Sequence, residues 1–524
     1  MDILTYLAAP LLNPLSLGMI ALGVFLGVYI GAIPGLSATM AISLLVSFTY
    51  GWDVNTALAI MVGIYCGVVY GGSRSAILLN IPGAPAAVAT ALDGYPLAKK
   101  GLAGKAIGVT TIASVIGGFI GIILLAVCAP LISGIALKFS PIDYLLLACM
   151  GLMMVGSIGG KSMVKGFISA VIGVSLGMIG MDSMTASMRF TYGNIYLSTG
   201  IDYIVAMIGL FGISEVLTQV LDLKAPIVKQ KVDKIVPDLP DVVKHLPLTI
   251  RSSLVGTLIG ALPGAGGDLA ALISYDQAKR TVKNPEVPFG EGAMEGLVAP
   301  EAANNAAIGG AFIPMLTLGI PGDSVTAILI GALTIQGLQP GPLLLTNTPD
   351  LFYFIVGSLV LANIFLLVFG LTGIRIFAKI VEIPKGILMP AIVILSVIGV
   401  YSLNNSLYDI FWMVGFGVLG YFLKRYDFPV APAVLGIILA SLLEKNFRRA
   451  VIMHGSIAGI LKAMFTSPIS LILLAVIVFM LLSQRKHVLA VEEELEEEAL
   501  EEEILYEKAA EASGEAEGPE KVEN

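Results

Sequence analysis

The sequence predicts an all-α polytopic membrane protein, with about 10–14 membrane segments that include half-helices and re-entrant hairpins. Composition is the first observation: of 524 residues, 56% are hydrophobic and 13% are charged, whereas soluble globular domains contain about 25% charged residues. Uncharged apolar windows recur along the chain, and Pro-Gly pairs interrupt several of them. A β-barrel would instead need short alternating strands, which the sequence does not show.

The apolar windows are long enough to cross a bilayer. Leu351 to Ile374 runs 24 residues without a charge, and Ala106 to Leu137 runs 32, where roughly 20 residues suffice for the hydrocarbon core. We therefore expect the second window to be tilted, or broken near Pro130. The N-terminus, MDILTYLAAP, has no basic region before its apolar stretch, so a cleaved signal peptide is not expected.

Charge divides the chain into regions. Residues 489–524 hold 15 acids and 2 lysines, while the remainder holds 23 acids and 28 bases. This composition predicts a disordered tail behind a mildly basic membrane body. By the positive-inside rule, the clusters at Lys99 to Lys105, Lys224 to Arg251 and Lys279 to Lys283, and Arg485 with Lys486, are cytoplasmic candidates, with the tail beside them.

A polar, Pro-containing segment separates two membrane portions of similar length. The predicted organisation is a first membrane repeat at 1–220, a cytoplasmic linker at 221–248, a second repeat with C-terminal helices at 249–488, and the acidic tail at 489–524. Repetition supports this division: GAIPG at 31–35 recurs as GALPG at 260–264, and IPG at 81–83 recurs at 320–322. Two such pairs in the same order indicate internal repeats, which we expect to be inverted.

The four interruptions predict a binding site. Unpaired backbone inside a membrane is tolerated only where protein buries it or where it lines a polar cavity. In secondary transporters, half-helix N-termini face anionic substrates, and unwound carbonyl groups hold coupling cations. The alternative is a set of kinked helices whose small residues allow close packing. Four breaks arranged as two pairs favour the transport site.

Polar residues near the breaks complete the candidate site. Glu301, Asn304 and Asn305 share one helical face, where they could bind Na⁺, where Glu301 could hold a proton, or where they could cap a helix at a membrane border. Arg74 could pair with a substrate carboxylate or snorkel to an interface. The candidate substrate- and cation-binding residues are Pro34, Gly35, Ser37, Thr39, Asn80, Pro82, Gly83, Pro263, Gly264, Gly266, Gly267, Asp268, Glu301, Asn304, Asn305, Pro321, Gly322, Asp323 and Ser324.

Enzymatic chemistry is not indicated. The three cysteines lie in apolar stretches, the three histidines are isolated, and neither set has the spacing of a metal site. The glycine-rich run before Asp268 could form a nest of N–H groups, but the G-x-x-x-x-G-K-[ST] nucleotide loop is absent. We therefore expect no catalytic residue, no cofactor and no metal beyond a coupling Na⁺.

Several long motifs resemble one transporter family. GAIPGLSATM, YGGSRSAILLNIPGAPAAVATALDGYPLAKKG, GALPGAGGDLAALISYDQAKR and APEAANNAAIGGAFIPMLTLGIPG are similar to motifs of the large membrane subunit (TctA type) of tripartite tricarboxylate transporters. With a further stretch from Ile398 to Ala450, the resemblance covers roughly residues 10 to 480. Asp268 and Asp323 depart from it, because small or hydroxylated residues are expected there, and the acidic tail lies outside it.

The resemblance implies a multi-pass permease of the prokaryotic cytoplasmic (inner) membrane that imports a carboxylate. Its implied partners are a small membrane subunit (TctB type) and an extracytoplasmic solute-binding protein (TctC type), and transport would be driven by a Na⁺ or H⁺ gradient. The resemblance assigns the four Pro-Gly breaks and the polar residues Glu301, Asn304 and Asn305 to the site. A stand-alone, cation-coupled organic-anion transporter is the alternative. A channel is less favoured, because no ring-forming filter motif is present.

Overall fold

The structure is a computed structural model that describes residues 3–33, 36–80, 82–158, 163–182, 185, 187–220, 235–373 and 385–478. The chain forms two compact units, Met1–Ile460 and Leu461–Asn524. In these described ranges, eight helices are long and apolar enough to cross a membrane, with a ninth if one bent pair counts as a span, and five apolar helices are shorter. The predicted all-α polytopic fold class is confirmed.

The first half of the described chain is helical apart from one small hairpin. Its helices are α1 (Ile3–Leu12), α2 (Pro14–Ala32), α3 (Ala38–Thr49), α4 (Val54–Leu79), α5 (Ala87–Lys99), α6 (Ala103–Ala136), α7 (Pro141–Ile158), α8 (Met163–Gly177), α9 (Tyr203–Met207) and α10 (Ser214–Val220). A π-helical turn, Ile208–Ile213, joins α9 to α10, and a 3₁₀ turn spans Ile195–Leu197. The hairpin pairs β1 (Gly180–Met181) with β2 (Met188–Arg189) in antiparallel register.

The second half is also helical. Its helices are α11 (Leu239–Gly260), α12 (Gly266–Thr281), α13 (Glu295–Leu318), α14 (Ser324–Ile335), α15 (Pro342–Asn347), α16 (Pro349–Thr372), α17 (Lys385–Asn404), α18 (Leu407–Arg425), α19 (Val430–His454), α20 (Ile457–Thr466) and α21 (Pro468–Val478). The last two form the bent pair, at 92° to each other.

Each predicted Pro-Gly interruption lies between two helices. The first separates α2 from α3, although Pro34 and Gly35 themselves lie outside the described residues. α4 ends at Asn80, which adopts a left-handed conformation (φ 58°) that asparagine tolerates better than most residues. α13 ends at Gly319 (φ 70°), the usual left-handed residue at a helix C-terminus. A proline then follows in both cases, so the chain cannot continue as helix.

Glycines allow α2 and α4 to pack backbone against backbone. A Cβ added at Gly23 would lie 2.5 Å from the carbonyl oxygen of Ile60, and one added at Gly31 would lie 2.3 Å from that of Val68. The two contacts are separated by eight residues on each helix, so the helices run parallel. Close approach of this kind is common where small residues line membrane helix interfaces.

The pair α11 and α13 packs in the same way. A Cβ at Gly256 would lie 2.2 Å from the carbonyl oxygen of Ala303, and one at Gly260 would lie 2.4 Å from that of Ala307. Both pairs of parallel helices therefore end at breaks: α2 and α4 in the first half, and α11 and α13 in the second. The internal repeat and its inverted orientation stay predictions.

One buried carboxylate connects three elements beyond the breaks. Oδ1 of Asp93, on α5, accepts hydrogen bonds from the backbone N–H groups of Gly290, Gly292 and Ala293 at 2.8, 2.9 and 2.8 Å. Its other oxygen accepts from the hydroxyl of Tyr275, on α12, at 3.0 Å. These bonds compensate the cost of burying the carboxylate and fix α5, α12 and the loop before α13 together.

Two local expectations can be compared with helix bounds. α6 is continuous through Pro130 and is 34 residues long, which corresponds to about 51 Å of helix, so of the two expected outcomes the break at Pro130 is absent. α11 begins at Leu239, within the predicted linker at 221–248, with Pro240 in its first turn, a position where proline fits a helix. Residues 221–234 of that linker, and the acidic tail, lie outside the described residues.

The glycine packing gives a matched test on a single helix. Gly27→Ala should lower the midpoint of thermal unfolding in detergent, because its Cβ would lie 2.6 Å from the carbonyl oxygen of Ile64, and overpacking typically costs about 1–3 kcal/mol. Gly18→Ala is the control on the same helix, since a Cβ there has no atom within 4 Å. Equal midpoints for the two variants would contradict the close packing of α2 on α4.

Candidate functional site

The breaks after α2, α4 and α11 meet in the interior of the first unit. A Cβ added at Gly83 would lie 2.2 Å from the carbonyl oxygen of Gly31, at the end of α2. The backbone N–H of Ala86, at the start of α5, donates to Oδ1 of Asp268, in the first turn of α12, with an N···O distance of 3.0 Å. Three of the four interruptions are therefore in contact.

The fourth break joins them through α12. A Cβ at Gly266 would lie 2.9 Å from the Cβ of Asp323, the residue before α14. A Cβ at Gly267 would lie 2.2 Å from Oδ1 of Asn304, on α13. Asp323 also accepts a short hydrogen bond from the hydroxyl of Tyr65, on α4. Residues beside the breaks of both halves of the chain thus lie close together.

Two of the four half-helices are capped by their own residues. Oγ of Ser37 accepts from the N–H of Met40 at 3.2 Å at the start of α3. At the start of α14, Asp323 and Thr326 form a capping box, with the N–H of Thr326 donating to Oδ1 of Asp323 at 2.7 Å. These bonds satisfy N–H groups that a helix start otherwise leaves unpaired.

The other two half-helices differ from each other. At the start of α5, the N–H of Ala86 donates to Asp268, which belongs to α12. The start of α12 has no side-chain cap at Ala265, and Gly264 and Gly266 have positive φ values of 82° and 62°. Left-handed glycines turn successive N–H groups to one side, which is the backbone geometry of a nest. Among the described half-helices, α12 is the one whose start receives no side-chain hydrogen bond.

The candidate residues around this meeting point range from exposed to buried. Asn80 and Asp268 are exposed. The half-buried members of the candidate set are Ser37, Thr39, Pro82, Gly264, Gly267, Asp323 and Ser324. The buried members around the breaks are Gly83, Pro263, Gly266, Pro321 and Gly322.

The residues of the predicted polar face of α13 lie in different environments. Asn304 is 5% exposed and has no hydrogen-bond partner among the described residues. Asn305 donates from Nδ2 to the carbonyl oxygen of Glu301 at 3.0 Å, and it lines a small cavity with Cys66 and Asn363. Asn304 thus faces the glycines of α12, while Asn305 lies against α4 and α16.

Glu301 belongs to a closed polar cluster. Its Oε2 lies 3.2 Å from a guanidinium nitrogen of Arg74 and accepts from the hydroxyl of Ser114 at 3.1 Å. Its Oε1 accepts from the hydroxyl of Thr90 at 2.7 Å. Arg74 also donates to Oγ1 of Thr110 at 2.9 Å, and the two charged side chains are 2% and 1% exposed. Arg74 therefore does not snorkel, and both oxygens of Glu301 are occupied.

Sequence reasoning missed several of these contacts. Tyr65, Thr90 and Ser114 lie in apolar helices, and no local motif marks them as partners of a site residue. Asp323 is 258 residues from Tyr65, and Glu301 is 227 residues from Arg74. The sequence contains one signal for these contacts: Arg74 is a single charged residue in an apolar segment, which indicates that it has an acidic partner.

The site carries negative charge without a basic neighbour. Asp268 follows Gly266 by two residues, and the Cβ of Asp323 lies 2.9 Å from a Cβ built on Gly266. Neither carboxylate forms an ion pair with a lysine, arginine or histidine of the described residues. Arg74, a buried base on α4, is paired with Glu301. The half-helix starts supply partial positive charge, equivalent to about half a unit charge at each N-terminus.

Comparisons with known proteins agree with this architecture. A protein of Agrobacterium vitis described as "Uncharacterized 52.8 kDa protein in TAR-I ttuC' 3'region" is 37% identical over 466 residues, 89% of this chain and 92% of that protein. A second, "Uncharacterized protein in TAR-II ttuC' 3'region", is 44% identical over 219 residues, 42% of this chain and 89% of that protein. No solved structure gives a significant match.

A family pattern also matches most of the chain. The pattern of the tripartite tricarboxylate transporter TctA family matches residues 17–435, a range that contains all four breaks and every candidate site residue. The matched family is a family of membrane transporters and not of enzymes. This chain is a multi-pass membrane protein that belongs to the tripartite tricarboxylate transporter TctA family.

Proposed function

We propose that this chain is the permease subunit of a binding-protein-dependent secondary transporter, which imports a tricarboxylate- or dicarboxylate-type anion by cation-coupled alternating access. The observation that supports this proposal most directly is the convergence of four half-helix starts, one of which is uncapped. Discontinuous helices of this kind form the substrate and ion sites of secondary transporters. Membership of the TctA family adds independent support.

The substrate carboxylate binds at the start of α12. There the N–H groups of Gly266, Gly267 and Asp268 precede the first hydrogen-bonded turn, and the helix dipole favours an anion. The amide of Asn304 lies beside Gly267 and can donate to a carboxylate oxygen from Nδ2. The starts of α3, α5 and α14 each have an N–H group that already donates to a side chain, whereas the start of α12 has none.

Membership of the TctA family supports the proposed partners and location. The large subunit works with a small membrane subunit of TctB type and receives its substrate from a TctC-type solute-binding protein outside the prokaryotic cytoplasmic membrane. Coupling uses a Na⁺ or H⁺ gradient and needs no further cofactor. Movement of one group of half-helices against the others exposes the site to each side in turn.

Uptake tests the substrate site. In proteoliposomes containing both membrane subunits and the binding protein, Gly267→Ala should reduce uptake of the transported carboxylate at least tenfold, because its Cβ would lie 2.2 Å from Oδ1 of Asn304. Asn304→Ala should reduce uptake by removing the polar group beside α12. Gly134→Ala on α6 is the control, since a Cβ there contacts nothing within 4 Å.

The same assay separates the alternatives. Radiolabelled citrate, succinate and other di- and tricarboxylates are offered with and without the binding protein. Uptake that requires the binding protein supports the three-part system, and uptake by this chain alone supports a stand-alone transporter. Normal uptake in both the Gly267 and Asn304 variants would show that the substrate binds elsewhere.

Thermal stability distinguishes the role of Glu301 from that of Asn304. Glu301→Gln should lower the midpoint of thermal unfolding strongly, because it leaves Arg74 buried without a counter-charge; breaking a buried ion pair costs about 3–5 kcal/mol. Asn304→Ala should change the midpoint much less, since Asn304 has no described partner to lose.

Arg280→Ala is the control, because its pair with Asp276 is exposed and such i,i+4 pairs contribute about 0.3–0.5 kcal/mol. Replacing both partners, as in Arg74→Met with Glu301→Leu, should recover part of the loss. A Glu301→Gln protein as stable as the parent, with uptake abolished, would instead return Glu301 to a direct role in transport.

A further inference from the structure

Arg251, on α11, carries a charge that the protein does not neutralise. Its Nε and Nη2 atoms are buried and have no hydrogen-bond partner, and no carboxylate of the described residues forms an ion pair with it. The residue as a whole is half-buried, so the guanidinium lies at the edge of the helix bundle and not in its core. A guanidinium that loses water without gaining a hydrogen bond is costly, which indicates that its partner comes from outside the chain.

Helix directions place Arg251 near the basic end of α12. α11 runs parallel to α13, as their glycine contacts show. α12 runs the opposite way: Gly267 contacts Asn304, whereas the ring of Tyr275 lies 3.1 Å from a Cβ built on Gly296, earlier in α13. The first half of α11 therefore lies beside the second half of α12, whose last turn carries two basic residues.

The register brings Gln277 close to Arg251. Gly256 of α11 contacts α13 at position 303, and Tyr275 of α12 contacts it at position 296. Counted along the three helices, Arg251 is level with position 273 of α12. Its side chain leans toward the N-terminus of α11, which is the direction of Gln277.

Gln277 also lacks a partner. Successive helical residues turn by about 100°, so Gln277 points away from α5, to which Tyr275 hydrogen-bonds through Asp93. Its Oε1 is buried without a hydrogen bond, so protein covers this side of α12, and α11 is the neighbour there. An unpaired cationic donor and an unpaired amide acceptor thus lie along the groove between α11 and α12.

The groove opens onto an apolar surface. Leu254 and Leu258 are exposed and follow Arg251 by three and seven residues, which places them on its side of α11. Ile273, one turn before Gln277 on α12, is exposed as well. In a membrane protein, exposed aliphatic side chains of this kind contact lipid acyl chains.

The charged end of the groove faces the cytoplasm by the positive-inside rule. Lys105 of α6 pairs with Asp241 of α11 at 2.9 Å, so the basic groups of these helices lie at one end together with the end of α12. Lys279 and Lys283 are exposed there and form no ion pair among the described residues. Arg251 is thus within reach of the headgroups of the cytoplasmic leaflet.

We propose that the groove between α11 and α12 binds an anionic phospholipid of the cytoplasmic leaflet whose headgroup carries a hydroxyl, as in phosphatidylglycerol. The guanidinium of Arg251 donates to the phosphate, and the headgroup hydroxyl donates to Oε1 of Gln277. The acyl chains lie along Leu254 and Leu258. Basic pockets between membrane helices on the cytoplasmic side are typical sites for such headgroups, and binding there does not depend on the transport role.

Lipid binding to the purified full chain tests this site. The protein in detergent is titrated with dioleoylphosphatidylglycerol, and bound lipid is counted by native mass spectrometry while the midpoint of thermal unfolding is followed. The midpoint should rise with phosphatidylglycerol and much less with phosphatidylcholine or phosphatidylethanolamine. Arg251→Gln should raise the half-saturating mole fraction of the lipid at least fivefold.

The effect of Arg251→Gln should change sign with lipid. In lipid-free detergent its midpoint should equal or exceed that of the parent, because the substitution removes an unpaired charge. At saturating phosphatidylglycerol its midpoint should be lower. Arg425→Gln is the matched control: it removes the same charge from an exposed position in the last turn of α18, and its half-saturating mole fraction should stay within twofold of the parent.

Gln277 is tested with a headgroup that has no hydroxyl. Phosphatidylmethanol carries the same charge as phosphatidylglycerol, so the parent should prefer phosphatidylglycerol, and Gln277→Leu should bind the two lipids equally. An unchanged preference in this variant would remove Gln277 from the site.

Other results would overturn the lipid site itself. These are equal midpoint shifts with phosphatidylglycerol and phosphatidylcholine, no lipid retained by the unmodified protein, or equal losses in the Arg251 and Arg425 variants. The same stabilisation by glycerol 3-phosphate without lipid would show that Arg251 binds a soluble anion. A loss of stability of Arg251→Gln in lipid-free detergent would show that its partner lies within the chain.

Discussion

The need to satisfy backbone groups at helix breaks inside a membrane governs this structure. An unpaired N–H group in hydrocarbon costs several kcal/mol, and four breaks expose such groups at one place. Ser37 and Asp323 cap the helices that follow them, and Asp268 reaches from α12 to the N–H of Ala86. The start of α12 is left without a side-chain cap, which makes it the natural position for a ligand.

Close helix packing determines where the breaks meet. The parallel pairs α2 with α4 and α11 with α13 approach so closely that a Cβ at Gly27 or Gly260 would lie 2.6 or 2.4 Å from a carbonyl oxygen. Glycine spacing of four residues keeps each pair in register along its length. A shift of either pair by one turn would move its break about 5.4 Å along the axis, enough to separate the contacts of Asp268.

Local signals in the sequence predicted the breaks, because proline and glycine act through the backbone of their own segment. Pro263 with Gly264, and Pro321 with Gly322, accordingly lie between helices. The partner of Arg74 could not be predicted in this way, since Glu301 is 227 residues away and several acids were available. The charge of Asp268 is visible in the sequence, but its bond to Ala86 could not be predicted, because it depends on how two distant breaks pack.

Glu301 and Asn304 show why proximity on a helix does not imply a shared role. Within one turn of α13, the charged residue is neutralised by Arg74 and bonded through both oxygens, while the neutral residue has no described partner. In a low-dielectric interior, groups whose charge and hydrogen bonds are balanced by the protein stabilise the fold, and unbalanced groups need a ligand. By this criterion Asn304 and the start of α12 are the proposed binding groups, and the ion pair of Glu301 stabilises the helices that position them.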